Sequence, residues 1–224
     1  MVIDSLILAW RFFWIYFKLV GAKIFLMKKI SLKGTRSYAI AAEMLADGKL
    51  VMHPTETCYG LAVDIFDEEA LKKLYKAKGR SFKKPVSILV SSLAMAEEYG
   101  VFSDKALDYA SRYWPGPLSI VVPRGEKLPR HLNPAEDFIS IRFSDNKFCT
   151  RVVDKLGHPI TTTSANRSGD DPLYDSDVIG MEDFAEYIDL VVDGGELPEN
   201  KPSTILKVVG GEVEVLRHGD VLID

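Results

Sequence analysis

Three polar segments of the chain carry side chains suited to holding anions and small polar ligands, and each follows an apolar or helical stretch. Pro54-Thr55-Glu56-Thr57-Cys58-Tyr59-Gly60-Leu61 offers hydroxyls, a carboxylate and a phenol. At a strand end such a set can orient a small polar substrate, and the same residues also make an ordinary turn. Lys76-Ala77-Lys78-Gly79-Arg80 gathers cations that could bind several phosphate oxygens. Cations at a helix C-terminus also simply offset its dipole, which is the stronger reading of that segment alone, and removal of one there costs only about 0.3–1 kcal/mol. Thr161 to Gly169 runs through Thr162, Thr163, Ser164, Ala165, Asn166, Arg167 and Ser168, short donors and acceptors that suit a nucleotide and are common in turns. Arg142 ends the run Ile-Ser-Ile-Arg, where a guanidinium can hold a carboxylate bidentately or stay in solvent.

The elements that must position these groups alternate helix-like and strand-like patterns from residue 36 onward, the rhythm of an α/β domain. Arg36 to Asp47 reads as a helix stopped by Gly48, and Leu50 to His53 as a short buried strand. Asp67 is a good N-cap for a helix through Leu71, Leu74 and Tyr75, with Glu68 and Glu69 in its first turn and Gly79 at its stop. Val86 to Val90 and Leu118 to Val122 read as core strands, separated by helical runs that start at Ser91 and Ser103, the second closed by Pro115 and Pro117. Further strands are expected at Phe138 to Arg142, Ile160 to Thr163, Leu190 to Val192, Thr204 to Val208 and Val213 to Leu216, with Gly210-Gly211 turning the last hairpin.

Composition narrows the chemistry. The chain has 224 residues, 47% hydrophobic and 27% charged, with a net charge of −4. That excludes a disordered or low-complexity chain and gives no support to a general nucleic-acid binder. Two cysteines, Cys58 and Cys149, cannot build a disulfide framework or a four-thiolate zinc site, and suit a reducing, cytoplasmic compartment. Phosphate-loop, dinucleotide-fold, His-Glu-x-x-His and Cys-x-x-Cys signatures are absent from the sequence. His53, His131, His158 and His218 lack ligand spacing, and Gly169-Asp170-Asp171 reads better as a solvated acidic turn than as a metal site.

Residues 6–27 form an apolar run interrupted by Arg11, Lys18 and Lys23, each costing about 2.5–3.5 kcal/mol near a bilayer centre. A membrane-associated helix, a signal peptide and an extension from an early start codon are the three readings, and membrane association is not the favoured one. The division expected is an apolar, dispensable N-terminal extension over residues 1–27 and one soluble domain over 28–224.

Taken in order, the segments resemble the YrdC-like family, the L-threonylcarbamoyladenylate synthases. The resemblance runs from about Arg36 to Gly219 and rests on Pro-Thr-Glu-Thr-x-Tyr-Gly-Leu at 54–61, Lys-x-Arg at Lys78 and Arg80, and Tyr-Trp-Pro-Gly-Pro-Leu at 113–118. Ser-x-Asn at Ser164 and Asn166, Asp-Gly-Gly at 193–195 and Ser-Thr-Ile at 203–205 complete it. Ser81 and His218 depart from the family's usual prolines.

The resemblance implies a single α/β domain, a twisted mixed or mostly parallel sheet flanked by helices, and a deep electropositive cavity. It implies that L-threonine, bicarbonate or carbon dioxide, and ATP give L-threonylcarbamoyladenylate and pyrophosphate. A separate threonylcarbamoyl-transferase complex would then deliver the group to tRNA. Lys78 and Arg80 would be catalytic and hold the triphosphate, with Ser164, Asn166 and Arg217 on the nucleotide and Lys76 a weaker candidate. Arg142 would pair with the threonine carboxylate, and Thr55 and Ser203 would orient its amine and hydroxyl. Magnesium is expected with ATP, with no protein ligand named. The competing readings are a module for double-stranded RNA or the ribosome using the same cavity, and a carbamoyl-transfer domain like those of hydrogenase-maturation proteins.

Overall fold

The computed structural model describes residues 27–82 and 84–223, so the expected N-terminal extension, Met27 apart, lies outside the described residues. In chain order the elements are β1 (Lys28–Ser31), α1 (Ser37–Ala46), β2 (Val51–Pro54), β3 (Tyr59–Ala62), α2 (Glu68–Ala77) and β4 (Ser87–Leu89). They continue with α3 (Leu93–Tyr99), α4 (Asp104–Tyr113), β5 (Leu118–Pro123), β6 (Phe138–Arg142), α5 (Lys147–Leu156), β7 (Ile160–Ser164), β8 (Leu190–Asp193), β9 (Thr204–Val209) and β10 (Glu212–Arg217). No helix among the described residues is long and apolar enough to cross a membrane.

Local chemistry sets the helix ends. Asp67 accepts from the Ala70 amide at 2.9 Å, and Gly79 leaves α2 with a φ of +55°, where a Cβ would be strained. Ser92 and Ser103 cap α3 and α4 through the Met95 and Ala106 amides. Asn146 caps α5 through the Phe148 amide, and Gly157, at φ +85°, ends it.

Three elements were not anticipated. Helix α5 carries Phe148, Cys149, Val152 and Val153 on one buried face, a helical period that its cap residues announce. β3 lies inside the Pro54–Leu61 segment, which is a hairpin rather than a turn alone, with Val51–Pro54 antiparallel to Tyr59–Ala62. β1 pairs only with β8 and has no fully buried residue, so no apolar alternation marks it.

The ten strands run β1-β8-β2-β3-β7-β4-β6-β5-β9-β10 in one sheet. The sheet is mixed: β1–β8, β8–β2, β4–β6 and β5–β9 are parallel and the other neighbours antiparallel. On one face, Ile88, Ile120, Ile141 and Leu206 lie in register across four strands and join α2, α3 and α4 in the larger apolar cluster. On the other face, α1 and α5 cover Val51, Ala62, Leu89, Ile160, Leu190 and Val192. Their layer stops part-way across. Beyond it that face carries Thr162, Ser87, Ser140, Arg142, Ser119 and Ile205, the residues alternating with the buried set. A sheet face with no helix over it must be solvated or filled by a ligand, and its polar residues follow from that.

Candidate active site

This uncovered face floors a cavity of about 650 Å³ whose lining contains all eight residues singled out from the sequence: Thr55, Lys78, Arg80, Arg142, Ser164, Asn166, Ser203 and Arg217. The expectation had been a site at strand ends. The cavity instead spreads across the sheet from β7 to β10, with Ser87 and Ser119 on its floor. It is cation-rich, with Lys78, Arg80, Arg142 and Arg217 against Asp170 and Asp171. The exposed Lys76 is not in the lining.

Lys78 sits at the C-terminus of α2, but it is not the exposed helix end expected from the sequence. It is 3% exposed, and its ammonium donates to the Ser164 carbonyl and Asn166 Oδ1, both at 2.6 Å. The correction has a simple cause: the loop after β7 folds back over the helix end, with the Ser168 amide donating to the Lys78 carbonyl at 2.9 Å. Burial, and secondarily the Arg80 charge, push the Lys78 ammonium down to about 8. Asn166 is held at both ends of its amide, Oδ1 accepting from Ser164 Oγ as well and Nδ2 donating to the Asp170 carbonyl at 2.5 Å. Arg80 donates through Nη2 to the Pro85 carbonyl at 2.6 Å, while its buried Nε has no partner among the described residues.

Arg142 closes β6 beside Ser119 and Leu89 and is 7% exposed. Its Nη2 donates to Glu56 Oε1 at 2.5 Å and to Thr57 Oγ1 at 3.2 Å, and its buried Nε has no partner among the described residues. An unpartnered buried guanidinium N–H in a cavity wall is costly unless a ligand completes it. Arg217 folds over the start of β9, its Nε and Nη2 donating to the Ser203 carbonyl at 2.9 and 2.7 Å and its Nη2 also to Ser203 Oγ at 2.9 Å. Desolvation, and after it the charge of Arg142, push Arg217 down.

Thr55 is committed to its own turn. Its hydroxyl donates to the Cys58 carbonyl at 2.7 Å and accepts from the Thr57 and Cys58 amides, so it shapes the hairpin tip and has no proton left for a ligand. Thr57, a neighbour not among the eight, lines the cavity. Beneath the hairpin, His53 Nδ1 and Cys149 Sγ lie 3.5 Å apart. Burial pushes His53 down to about 4 and Cys149 up to about 12. Both stay neutral, and the pair is not an activated nucleophile.

A family model described as "Telomere recombination", for Sua5, YciO and YrdC proteins, matches residues 43–219. The chain belongs to this Sua5/YciO/YrdC family. Among curated relatives, the threonylcarbamoyl-AMP synthase of Pyrococcus abyssi is 34% identical over 186 residues, covering 83% of this chain and 54% of that protein. A putative threonylcarbamoyl-AMP synthase of Methanocaldococcus jannaschii is 34% identical over 180 residues, covering 80% of this chain and 84% of that one. The chain therefore spans about half the length of the first relative and most of the second. The crystal structure of P. abyssi Sua5 complexed with L-threonine matches with a TM-score of 0.79 at 30% identity, covering 86% of this chain and 57% of that one.

Within the Sua5/YciO/YrdC fold of this chain, several motif residues support the site without lining it. Tyr59, fully buried, donates to the Gly195 carbonyl at 2.7 Å and accepts from the Gly194 amide at 2.9 Å, tying the hairpin to the Asp-Gly-Gly loop. Trp114 Nε1 donates to the Leu118 carbonyl at 2.7 Å and fixes the entry of β5, whose Ser119 faces the cavity. The sequence reading missed Ser87 and Ser119 of the floor and Ser140 beside them; a serine at alternate positions of otherwise apolar strands was their signal. Tyr174 and Asn200, also in the lining, come from irregular segments that carry no such period.

Proposed function

We propose that the protein is a threonylcarbamoyl-AMP synthase, taking L-threonine, bicarbonate or carbon dioxide, and ATP to L-threonylcarbamoyl-AMP and pyrophosphate. The observation that carries this is one cavity with two different cationic ends. At the first, Lys78 and Arg80 stand together and donate to neutral acceptors, Lys78 to the Ser164 carbonyl and Asn166 Oδ1 and Arg80 to the Pro85 carbonyl. At the second, Arg142 is paired with the Glu56 carboxylate, and its buried Nε, like that of Arg80, has no partner among the described residues. Arg142 is level with Leu89 and Ile160, whereas Ser164, which braces Lys78, lies four residues further along β7 and two strands away, a separation of roughly 16 Å. That separation suits a polyphosphate at one end and an amino-acid carboxylate at the other.

On this reading Lys78 and Arg80 hold the triphosphate and stabilise the pyrophosphate that leaves. Arg142 fixes the threonine carboxylate, Ser203 its polar groups, and Arg217 reaches the nucleotide from β10. The threonine amine attacks the carbon of carbon dioxide and loses a proton, giving a carbamate. A carbamate oxygen then attacks the α-phosphorus and pyrophosphate departs, so no covalent enzyme intermediate is needed. Catalysis is positioning and charge neutralisation. Magnesium would come with ATP, held chiefly by phosphate oxygens and water; Asp170 and Asp171 are the carboxylates in the lining.

The product would pass to a threonylcarbamoyl-transferase complex acting on tRNA, in the cytoplasm. The RNA-binding alternative is not favoured, because the cations are gathered in a cavity instead of along a surface that could track a backbone. The test is pyrophosphate release by the full chain with ATP and bicarbonate, comparing L-threonine, L-serine and no amino acid. Release that depends on both threonine and bicarbonate is expected. A folded protein that binds ATP without releasing pyrophosphate rules the synthase out. Retention of the activity by protein starting at Met27 would show residues 1–26 to be dispensable.

A further inference from the structure

The geometry points to Glu56 as the positioning residue for the substrate carboxylate, acting through Arg142 without touching the substrate itself. This rests on the assignment of Arg142 above and goes beyond it. Glu56 does not line the cavity, yet both of its carboxylate oxygens are held. Oε1 accepts from Arg142 Nη2 at 2.5 Å, and Oε2 accepts from Ser144 Oγ. Ser144, 1% exposed, also accepts the Asn146 amide at 3.1 Å and so joins the carboxylate to the start of α5. The Glu56 carbonyl accepts from Asn200 Nδ2 at 2.9 Å. The carboxylate is thus fixed by β6 and the loop before α5, and the Glu56 backbone by the segment before β9.

Two consequences follow for Arg142. A guanidinium is planar, so fixing Nη2 against Glu56 and Thr57 fixes the direction of the unpartnered Nε. Glu56 also offsets one of the two guanidinium charges, Arg142 and Arg217, that line the same cavity. With Glu56 in place the Arg142 end has room for one further carboxylate and is not a general polyanion site. Without it, Arg142 would be a buried cation lacking its counter-ion, free to turn toward phosphate.

The test compares full-chain variants by calorimetric titration of L-threonine and by KM for threonine and for ATP in pyrophosphate release. Glu56→Gln keeps size and an acceptor oxygen but removes the charge. It is expected to weaken threonine binding and raise the threonine KM about tenfold, equivalent to about 1.4 kcal/mol, while the ATP KM stays within about twofold. In an Arg142→Ala background the same change should add nothing, because the group it acts through is gone. Ser144→Ala, which frees the second carboxylate oxygen, should give the same split at about threefold, and Glu56→Asp should restore part of the affinity. These two variants carry the test if Glu56→Gln folds poorly. An equal rise in both KM values, or a full effect of Glu56→Gln without Arg142, overturns the role of Glu56. If Arg142→Ala leaves threonine binding unchanged, the assignment of Arg142 falls first and Glu56 with it; if only Glu56→Gln is silent, Arg142 stands alone.

Discussion

The Lys78 end and the Arg142 end of the cavity both bury a cation, but they satisfy it differently. Lys78 has two neutral acceptors, the Ser164 carbonyl and the Asn166 amide oxygen, and the stronger of the charges acting on it is the Arg80 cation, ahead of the Asp170 carboxylate. Arg142 has a carboxylate, Glu56, and keeps one N–H without a partner. Neutral acceptors satisfy hydrogen-bonding directions and leave the charge standing, whereas a carboxylate removes most of it. The first end therefore suits a polyanion and the second a single carboxylate directed by geometry. Two cations of one cavity differ in what stands behind them.

Breaking the first end should have the largest effect. Lys78→Ala is expected to cut pyrophosphate release by about 10²–10³ and, because the Ser164 carbonyl and Asn166 amide lose their donor, to cost about 1–3 kcal/mol of stability in denaturant unfolding. Lys76→Ala, at the exposed neighbour outside the lining, should leave both unchanged and serves as the control. Near wild-type turnover in Lys78→Ala would remove the triphosphate assignment.

Breaking the second end should discriminate between substrates instead of abolishing turnover alone. Arg142→Ala is expected to raise the threonine KM at least about tenfold more than the ATP KM, since only the amino acid offers a carboxylate there. An equal rise in the two would dissolve the distinction between the ends.

A pH profile should sharpen the comparison with a smaller effect. The Lys78 ammonium, held down at about 8, loses its charge as pH rises through that value, so kcat/KM for ATP in the free enzyme should fall above about pH 8. Its stability contribution moves the other way. Between about 8 and the unperturbed 10.5 the unfolded chain binds the proton that the folded chain has released, so stability from this group rises with pH. Melting of wild type against Lys78→Met should shift in favour of wild type over that window, and a difference that is flat in pH would place the titration elsewhere.

Much of this was legible because it is local. The Asp67 cap, the Gly79 stop and the Ser103 cap each depend on residues within one turn, and all are found in the structure. So does the alternation in Phe-Ile-Ser-Ile-Arg that places Ser140 and Arg142 on one face. β1 was not legible because it is an edge strand defined only by β8, about 160 residues away. The hairpin around Pro54–Leu61 was legible as a motif and not as two strands, since its pairing is what makes it one.

The sequence by itself determined the α/β class, the family and the set of eight polar residues, because residue type and order are properties of the chain. Only the tertiary structure decided that Lys78 is buried, that Thr55 serves its own turn, and that Glu56 stands behind Arg142. Glu56 and Arg142 are separated by 86 positions, and their contact exists only because the loop between β2 and β3 reaches the end of β6, with β7 and β4 between β3 and β6 in the sheet. Burial and charge pairing are relations between distant segments, so no window of sequence contains them.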